Sequence, residues 1–358
     1  MASLFSVLCR LLTIILKLDS MRYRPELKSE KEHKALFIFG DSLFDPGNNV
    51  YINTSREAST YWPYGETFFK HPTGRYSDGR VVPDFIATFA GLPMLPPYLQ
   101  PGYHRFTDGA NFASAGACVL SPDTFDISLR DQLGYFKDVV KSLNQELGNI
   151  KAKSVLNNAV YVFSIGGGDY ATLVLHNPNI TESYKKVFVK MVIGNLTNVL
   201  KEVYSLGGRK IAFQSAGPLG CAPHKRIDYD NCDENLSSLA RQHNIALSAA
   251  LEELEKELSG FRYSIFDYYH AVLDRIDNPF KYGFKVGKVA CCGVGRLRES
   301  DCGEKYGRTF ELCSNPLEYV WFDGDHPGEG ANHQFAKLIW SGSPNFTWPY
   351  NVQQLFAY

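Results

Sequence analysis

The feature that most constrains this chain is a set of short β-branched and aromatic runs, each leading into a turn of small residues. Residues 35–39 (ALFIF) precede Gly40-Asp41-Ser42, and residues 160–165 (VYVFSI) precede Gly166-Gly167-Gly168. Residues 210–214 (KIAFQ) precede Ala216-Gly217-Pro218, and residues 263–266 (YSIF) precede Asp267. The runs are continuously apolar rather than alternating, which suits strands covered on both faces. Helical periodicities lie between them. Residues 181–206 put Tyr184, Phe188, Met191, Val192, Val199, Leu200 and Val203 on one predicted face, start at a Thr able to cap, and stop at Gly207-Gly208. Residues 234–258 repeat the pattern with Leu236, Leu239, Leu247, Leu251, Leu254 and Leu258. Strands alternating with helices predict an α/β fold with a mainly parallel sheet, in which ligands bind at the carboxyl ends of strands. No repeat, low-complexity block or Pro/Ser-rich linker divides the chain, so one domain over residues 34–358 is expected.

The 358 residues are 44% hydrophobic and 21% charged, enough to bury a full core. Thirty-seven Lys and Arg against 38 Asp and Glu leave no basic footprint for nucleic acid, so no nucleic-acid partner is expected. The apolar leader is broken by Arg10 and Lys17. Its uncharged stretches fall short of the roughly 18–20 residues that span a bilayer. A secretory signal peptide over residues 1–25 is the expectation, with an extracellular mature chain that lacks a membrane span. Five Asn-x-Ser/Thr sequons, at Asn53, Asn179, Asn195, Asn235 and Asn345, point the same way.

Of eight cysteines, six fall in two late clusters. Cys221 and Cys232 bracket a short polar loop and are the expected pair; Cys291, Cys292, Cys302 and Cys313 occupy a Gly- and charge-rich segment that buries little apolar surface, where covalent staples are useful. Zinc would want paired C-x₂₋₄-C spacings, which adjacent Cys291-Cys292 does not supply. Cys118 is read as a buried thiol.

Ser42 follows a buried strand in a turn that Gly40 makes tight, a position that lifts a hydroxyl to the sheet edge. The G-x-S-x-G elbow is absent, since position 44 is Phe. A serine nucleophile needs a base, and the base an orienting carboxylate. Among nine histidines, His326 stands out in Phe322-Asp323-Gly324-Asp325-His326-Pro327. A turn can bring Asp323 to its ring, with Pro327 and a helix-like 329–341 holding the loop. Spacing alone leaves Asp325 open as the carboxylate. Oxyanion donors are sought at the Ser42 amide, at Gly116 and in the turn containing Gly168. Neither a P-loop nor a dinucleotide fingerprint is complete.

Together these segments resemble the plant GDSL esterase/lipase family of the SGNH hydrolases over nearly the whole chain after Lys34. Residues 35–49 (ALFIFGDSLFDPGNN), 72–80 (PTGRYSDGR) and 109–116 (GANFASAG) look like its early blocks. Cys221–Pro223, Cys291-Cys292-Gly293, residues 313–319 (CSNPLEY) and 323–327 look like its later ones. The resemblance implies a flavodoxin-like three-layer α/β/α sandwich needing no metal or organic cofactor. It implies Ser42 as nucleophile, His326 as base, Asp323 rather than Asp325 as its partner, and Ser42 and Gly116 amides as oxyanion donors. The implied substrate is a small-molecule or lipid ester, cleaved through an acyl-enzyme. One departure concerns the family's Gly-x-Asn-Asp block: Gly168 stands where the oxyanion-binding Asn is expected. Losing one such donor costs about 10²–10³ in turnover. The expectation is a hydrolase that is either slow or relies on a water or a neighbouring side chain in place of that donor, with two alternatives: a weakly catalytic secreted accessory or binding protein, and an acyltransferase using the same site.

Overall fold

The computed structural model describes residues 34–54, 58–102, 104–120, 127–307 and 309–358. The expected signal peptide, Cys9 and the Ser55 of the first sequon lie outside the described residues. The apolar runs form strands β1 (Leu36–Gly40), β3 (Val160–Ser164), β4 (Lys210–Gln214) and β5 (Arg262–Phe266), joined by short β2 (Gly109–Asn111). Smaller strands follow: β6 (Val286–Ala290), β7 (Cys292–Gly293), β8 (Glu311–Leu312) and β9 (Tyr319–Trp321). The last is β10 (Thr347–Pro349). The main sheet has the order β10-β5-β4-β3-β1-β2, parallel throughout except for antiparallel β10.

The helices are α1 (Val82–Ala90), α2 (Leu129–Leu147), α3 (Asn149–Asn158), α4 (Gly167–His176), α5 (Glu182–Ser205) and α6 (Glu234–Glu257). They continue with α7 (Tyr268–Asp277), α8 (Glu329–Ser341) and α9 (Val352–Ala357). Side chains alternate across each strand and so divide the core in two. Phe37, Phe39, Tyr161, Phe163, Ile211 and Phe213 meet α2 to α6 on one face. Leu36, Ile38, Val160, Val162, Ala212 and Phe266 meet α1, α7, α8 and α9 on the other. The result is a three-layer α/β/α sandwich. Runs without polar alternation form here because β1, β3 and β4 are covered by helices on both faces.

The predicted face of residues 181–206 needs correction in its first half. Tyr184 and Met191 are exposed and Phe188 is half-buried, while Lys185, Val189, Ile193 and Leu196 are buried alongside the expected Val192. Two apolar strips compete in this helix, and packing on α6 selects the one containing a lysine. Burial of Lys185 is offset by hydrogen bonds from its ammonium to Glu182 (2.7 Å), Asn235 (2.9 Å) and Ser238 (3.0 Å). In residues 234–258 the predicted leucines Leu236, Leu239, Leu247, Leu251 and Leu254 are buried.

The order in which strands are added reverses between β1 and β3, which are parallel neighbours although β2 lies on the other side of β1. That switch point opens a crevice at the carboxyl ends of the two strands, where loops can approach from both directions. The turns at Ser42 and at Gly166 flank it.

Candidate active site

Gly40 ends β1 opposite Ser164 of β3. A β-carbon there would lie 2.6 Å from the Ser164 carbonyl oxygen, so only glycine lets the strands close at this level. The Gln132 side chain clamps the same residue, accepting from Gly40 N (2.9 Å) and donating to Gly40 O (2.8 Å). The chain then turns tightly: Asp41 N donates to Ser164 O, Phe44 N to Asp41 O, and Leu43 N to Asp41 Oδ1. Ser42 is left at the sheet edge, partly exposed.

The segment after this turn interlocks with residues 109–116. Buried Asp45 accepts from the amides of Gly47 (2.7 Å), Asn48 (2.7 Å) and Ala115 (2.9 Å), and burial raises its pKa to about 6. Asn48 Nδ2 donates to the carbonyls of Asn111 and Ala113, and Asn49 Nδ2 to that of Ala115. These bonds fix Gly116 beside the Ser42 turn.

The third contribution comes from the loop between β9 and α8. Pro327 bridges back to Trp321, and Phe322 N donates to His326 O, closing a tight loop. Asp323 Oδ1 accepts from the amides of Asp325 (2.9 Å) and His326 (2.7 Å). His326 Nδ1 lies 2.8 and 2.9 Å from the two Asp323 oxygens, and His326 Nε2 lies 2.7 Å from Ser42 Oγ. Burial pulls the His326 pKa down, but the charges and hydrogen bonding of Asp323, with Asp325 and Asp41 behind, outweigh it and leave the pKa raised. Asp325 points elsewhere: His224 Nδ1 donates to it at 2.9 Å. Of the two carboxylates that spacing left open, Asp323 is the one against His326.

The segment 72–80 supports this loop from outside the crevice. Asp78 Oδ1 accepts from Glu329 N at 2.7 Å, and Arg80 pairs with the Glu329 side chain, so the start of α8 is tied down. Arg75 and Asp84 form a buried bidentate pair. Three disulfides join Cys221 to Cys232, Cys291 to Cys313 and Cys292 to Cys302. The amides of Cys291 and Cys292 donate to Trp321 O and Phe322 O, so two of these disulfides anchor the chain that leads from β9 into Asp323.

Gly168 is in the first turn of α4, not in a bare loop. The left-handed backbone falls on Gly166 (φ 115°). A β-carbon at position 168 would stand 3.0 Å from Cys118 Sγ and 3.3 Å from the Ala117 carbonyl oxygen. Asp169 brings the two segments together by accepting from the amides of Val119 and Leu120, both at 2.9 Å. The Cys118 thiol is buried. It thus occupies the space into which a side chain at position 168 would start.

Ser42, Gly116, Gly168 and His326 all line one cavity of about 380 Å³, with Leu43, Ala171, Leu175, Leu219, Leu236 and Val272 supplying apolar walls and Lys225 and Asp325 polar ones. Among the described residues no cluster of His, Cys, Asp or Glu is arranged to hold a metal ion. Sequence reasoning read Cys118 correctly as a buried thiol but missed its place against Gly168, and it missed Gln132, the Asp45–Asn49 clamp and Tyr64, whose hydroxyl donates to Asp323 Oδ2 at 2.7 Å. Residues 64 and 323 are 259 positions apart, and no local pattern signals such a contact.

A doubly wound parallel sheet with a serine–histidine–aspartate chain in its switch-point crevice is the arrangement of hydrolases that work through a serine nucleophile. The family model of the GDSL-like lipase/acylhydrolases matches residues 36–339, and the chain belongs to this family of ester hydrolases. It is 46% identical to GDSL esterase/lipase 1 of Arabidopsis thaliana over 358 aligned residues, covering 96% of each chain. It is 48% identical to GDSL esterase/lipase 2 of the same plant (90% of this chain, 89% of the relative). To a GDSL lipase of Tanacetum cinerariifolium it is 47% identical (92% and 89%).

Proposed function

We propose that the chain is a secreted carboxylic-ester hydrolase that uses Ser42 as nucleophile and forms an acyl-enzyme. The observation that carries this reading is the 2.7 Å contact between Ser42 Oγ and His326 Nε2 at the wall of an apolar cavity. His326 takes the serine proton as Ser42 attacks the ester carbonyl, and Asp323 holds the resulting imidazolium. The Ser42 and Gly116 amides receive the oxyanion. His326 then protonates the leaving alcohol, and water, activated by the same ring, releases the acid. Aliphatic walls suit an acyl chain or a lipid ester. Residues 1–25 act as the signal peptide, residues 34–358 are the single hydrolase domain, and the sequons carry glycans.

Labelling with a fluorophosphonate serine-hydrolase probe tests the reading. Wild-type protein should label and cleave aryl and aliphatic esters, and Ser42→Ala should do neither while remaining folded. Full labelling of Ser42→Ala would remove the assignment.

A second reading, a weakly catalytic accessory protein, is favoured by one observation: Gly168 brings no side-chain donor to the oxyanion site. Absence of both labelling and turnover in folded wild-type protein would establish it. Transfer of the acyl group to an added alcohol in preference to water would instead make the protein an acyltransferase.

A further inference from the structure

We propose that Tyr64 is a positioning residue for the reaction: its phenol fixes the Asp323 carboxylate and thereby sets the basicity and orientation of His326. The inference rests on the Ser42–His326–Asp323 reading above and extends it by one residue from a distant segment.

Asp323 Oδ1 is held by two backbone amides and shares the imidazole N–H, whereas among the described residues Oδ2 accepts from the Tyr64 hydroxyl at 2.7 Å besides that shared N–H. Both side chains are buried, at 2% and 6% exposure, so no bulk water substitutes for either. The phenol is the donor that prevents the carboxylate from rotating off the imidazole plane. The ring itself is held on two sides. It packs edge-on against Phe322 (5.2 Å between centroids) and against Tyr76 (5.8 Å), and Tyr76 in turn lies over the His326 ring at 4.7 Å. Tyr64, Tyr76, Phe322 and the half-cystines Cys291, Cys292 and Cys302 belong to one buried cluster. The acid end of the relay is therefore supported by a small core of its own, separate from the two cores of the sheet.

A hydrogen bond to a charged group is stronger than one between neutral groups, and a donor left out of a buried carboxylate's shell is costly. Without the phenol, negative charge gathers on Oδ2 and pulls harder on the His326 proton, while the carboxylate gains freedom to turn. The groups facing His326 are Ser42 and Asp41 from the nucleophile turn, Tyr76 from the 72–80 segment, and Asp323 and Asp325 from its own loop. Asp325 in turn meets His224, with Lys225 close by. Among the described residues Tyr64 is the uncharged side chain that donates to Asp323, so changing it alters the carboxylate without adding or removing a charge.

The test uses the full mature protein and a soluble aryl ester. Tyr64→Phe should lower kcat by about 10- to 100-fold with KM within about twofold, as expected for loss of one hydrogen bond to a charged group. The acid limb of the kcat/KM profile should move to higher pH. Replacing Tyr64 by 3-fluorotyrosine keeps the ring and the hydroxyl but makes a stronger donor, so the limb should move to lower pH. If the Phe variant does not fold, the fluorotyrosine protein carries the test by itself. An unmoved limb in the fluorotyrosine protein overturns the inference, as does a Phe variant with wild-type kcat. A merely structural role would change kcat without ordering the two limbs in opposite directions. Ser42→Ala separates the two levels: unreduced turnover there removes the underlying reading, whereas an inactive Ser42→Ala beside an unaffected Tyr64→Phe removes only the role of Tyr64.

Discussion

Gly168 and Cys118 illustrate how one position constrains another. From the family resemblance, Gly168→Asn is the obvious way to supply a side-chain donor to the proposed oxyanion site. The backbone permits it, because the left-handed residue is Gly166, but the Cys118 sulfur leaves a new β-carbon only 3.0 Å of clearance. We expect Gly168→Asn alone to gain little. Combined with Cys118→Ala it should raise kcat toward the 10²–10³ range of a restored donor, with KM changing less. Steady-state kinetics of the two single variants and the double variant decide it, and equal gains with and without Cys118→Ala would dismiss the steric account. The two aspartates of the His326 loop should also separate. Asp323→Asn should cost about 10³–10⁴ in kcat, the scale on which a triad carboxylate acts. Asp325→Asn should cost less than about tenfold. Because the His326 pKa is raised above the ordinary 6.5 and the proposed mechanism uses the ring unprotonated, kcat/KM should rise with pH through a limb above that value. Removing the Asp325 charge should move the limb downward, since that carboxylate helps to hold the proton. A pH–rate series on the two variants gives both answers.

At the scale of elements, the site is built by loops that hold one another rather than by the strands alone. Asp45 is the clearest case: it sits in the segment after β1 yet satisfies the Ala115 amide, one residue before Gly116. Asp45→Ala leaves three buried amides unanswered. We expect a loss of at least about 1–3 kcal/mol in unfolding free energy and a fall in turnover beyond what stability explains. Denaturant unfolding and activity on the folded fraction check the two parts, and unchanged stability would show that the loops are held by the Asn48 and Asn49 contacts instead. The Cys292–Cys302 disulfide joins residues 10 positions apart behind β9. Replacing both with Ser should cost about 2–4 kcal/mol. Because Cys292 N donates to Phe322 O, activity should be lost at lower denaturant than the bulk fold, as comparing turnover with circular dichroism would reveal.

For the whole molecule, the sandwich brings its three site-bearing segments from residues 40–49, 109–118 and 321–327 to one crevice because the strand order reverses between β1 and β3. Among the described residues no helix is long and apolar enough to cross a membrane. If the chain is secreted as proposed, the mature protein should lack most of residues 1–25 and carry glycans. The five sequon asparagines are not equivalent. Asn53, Asn179, Asn195 and Asn345 are exposed, whereas Asn235 is half-buried and accepts from Lys185. Glycans are expected at one or more of the first four and at lower occupancy on Asn235. Peptide mapping of protein from a secretory host tests this, and full occupancy at Asn235 with bare sites elsewhere would contradict it.

What the sequence determined by itself was whatever local pattern can encode. Continuous apolar runs with small-residue turns specify buried parallel strands, leucine periodicity specifies the buried face of 234–258, and a Cys–x₁₀–Cys loop specifies its own closure. The likeness of motifs placed Ser42, Asp323 and His326 as candidates. Tertiary structure decided the rest, because those contacts join residues with no sequence relation. Which strip of α5 turns inward depends on α6 offering partners to Lys185. Which carboxylate meets His326 depends on the loop closure at Trp321 and Pro327, with His224 drawing Asp325 away. That Tyr64 supports Asp323, and that Cys118 fills the space beside Gly168, follow only from packing, since close contacts in a folded interior are set by shape and by the need to satisfy buried polar groups, and neither leaves a period in the chain.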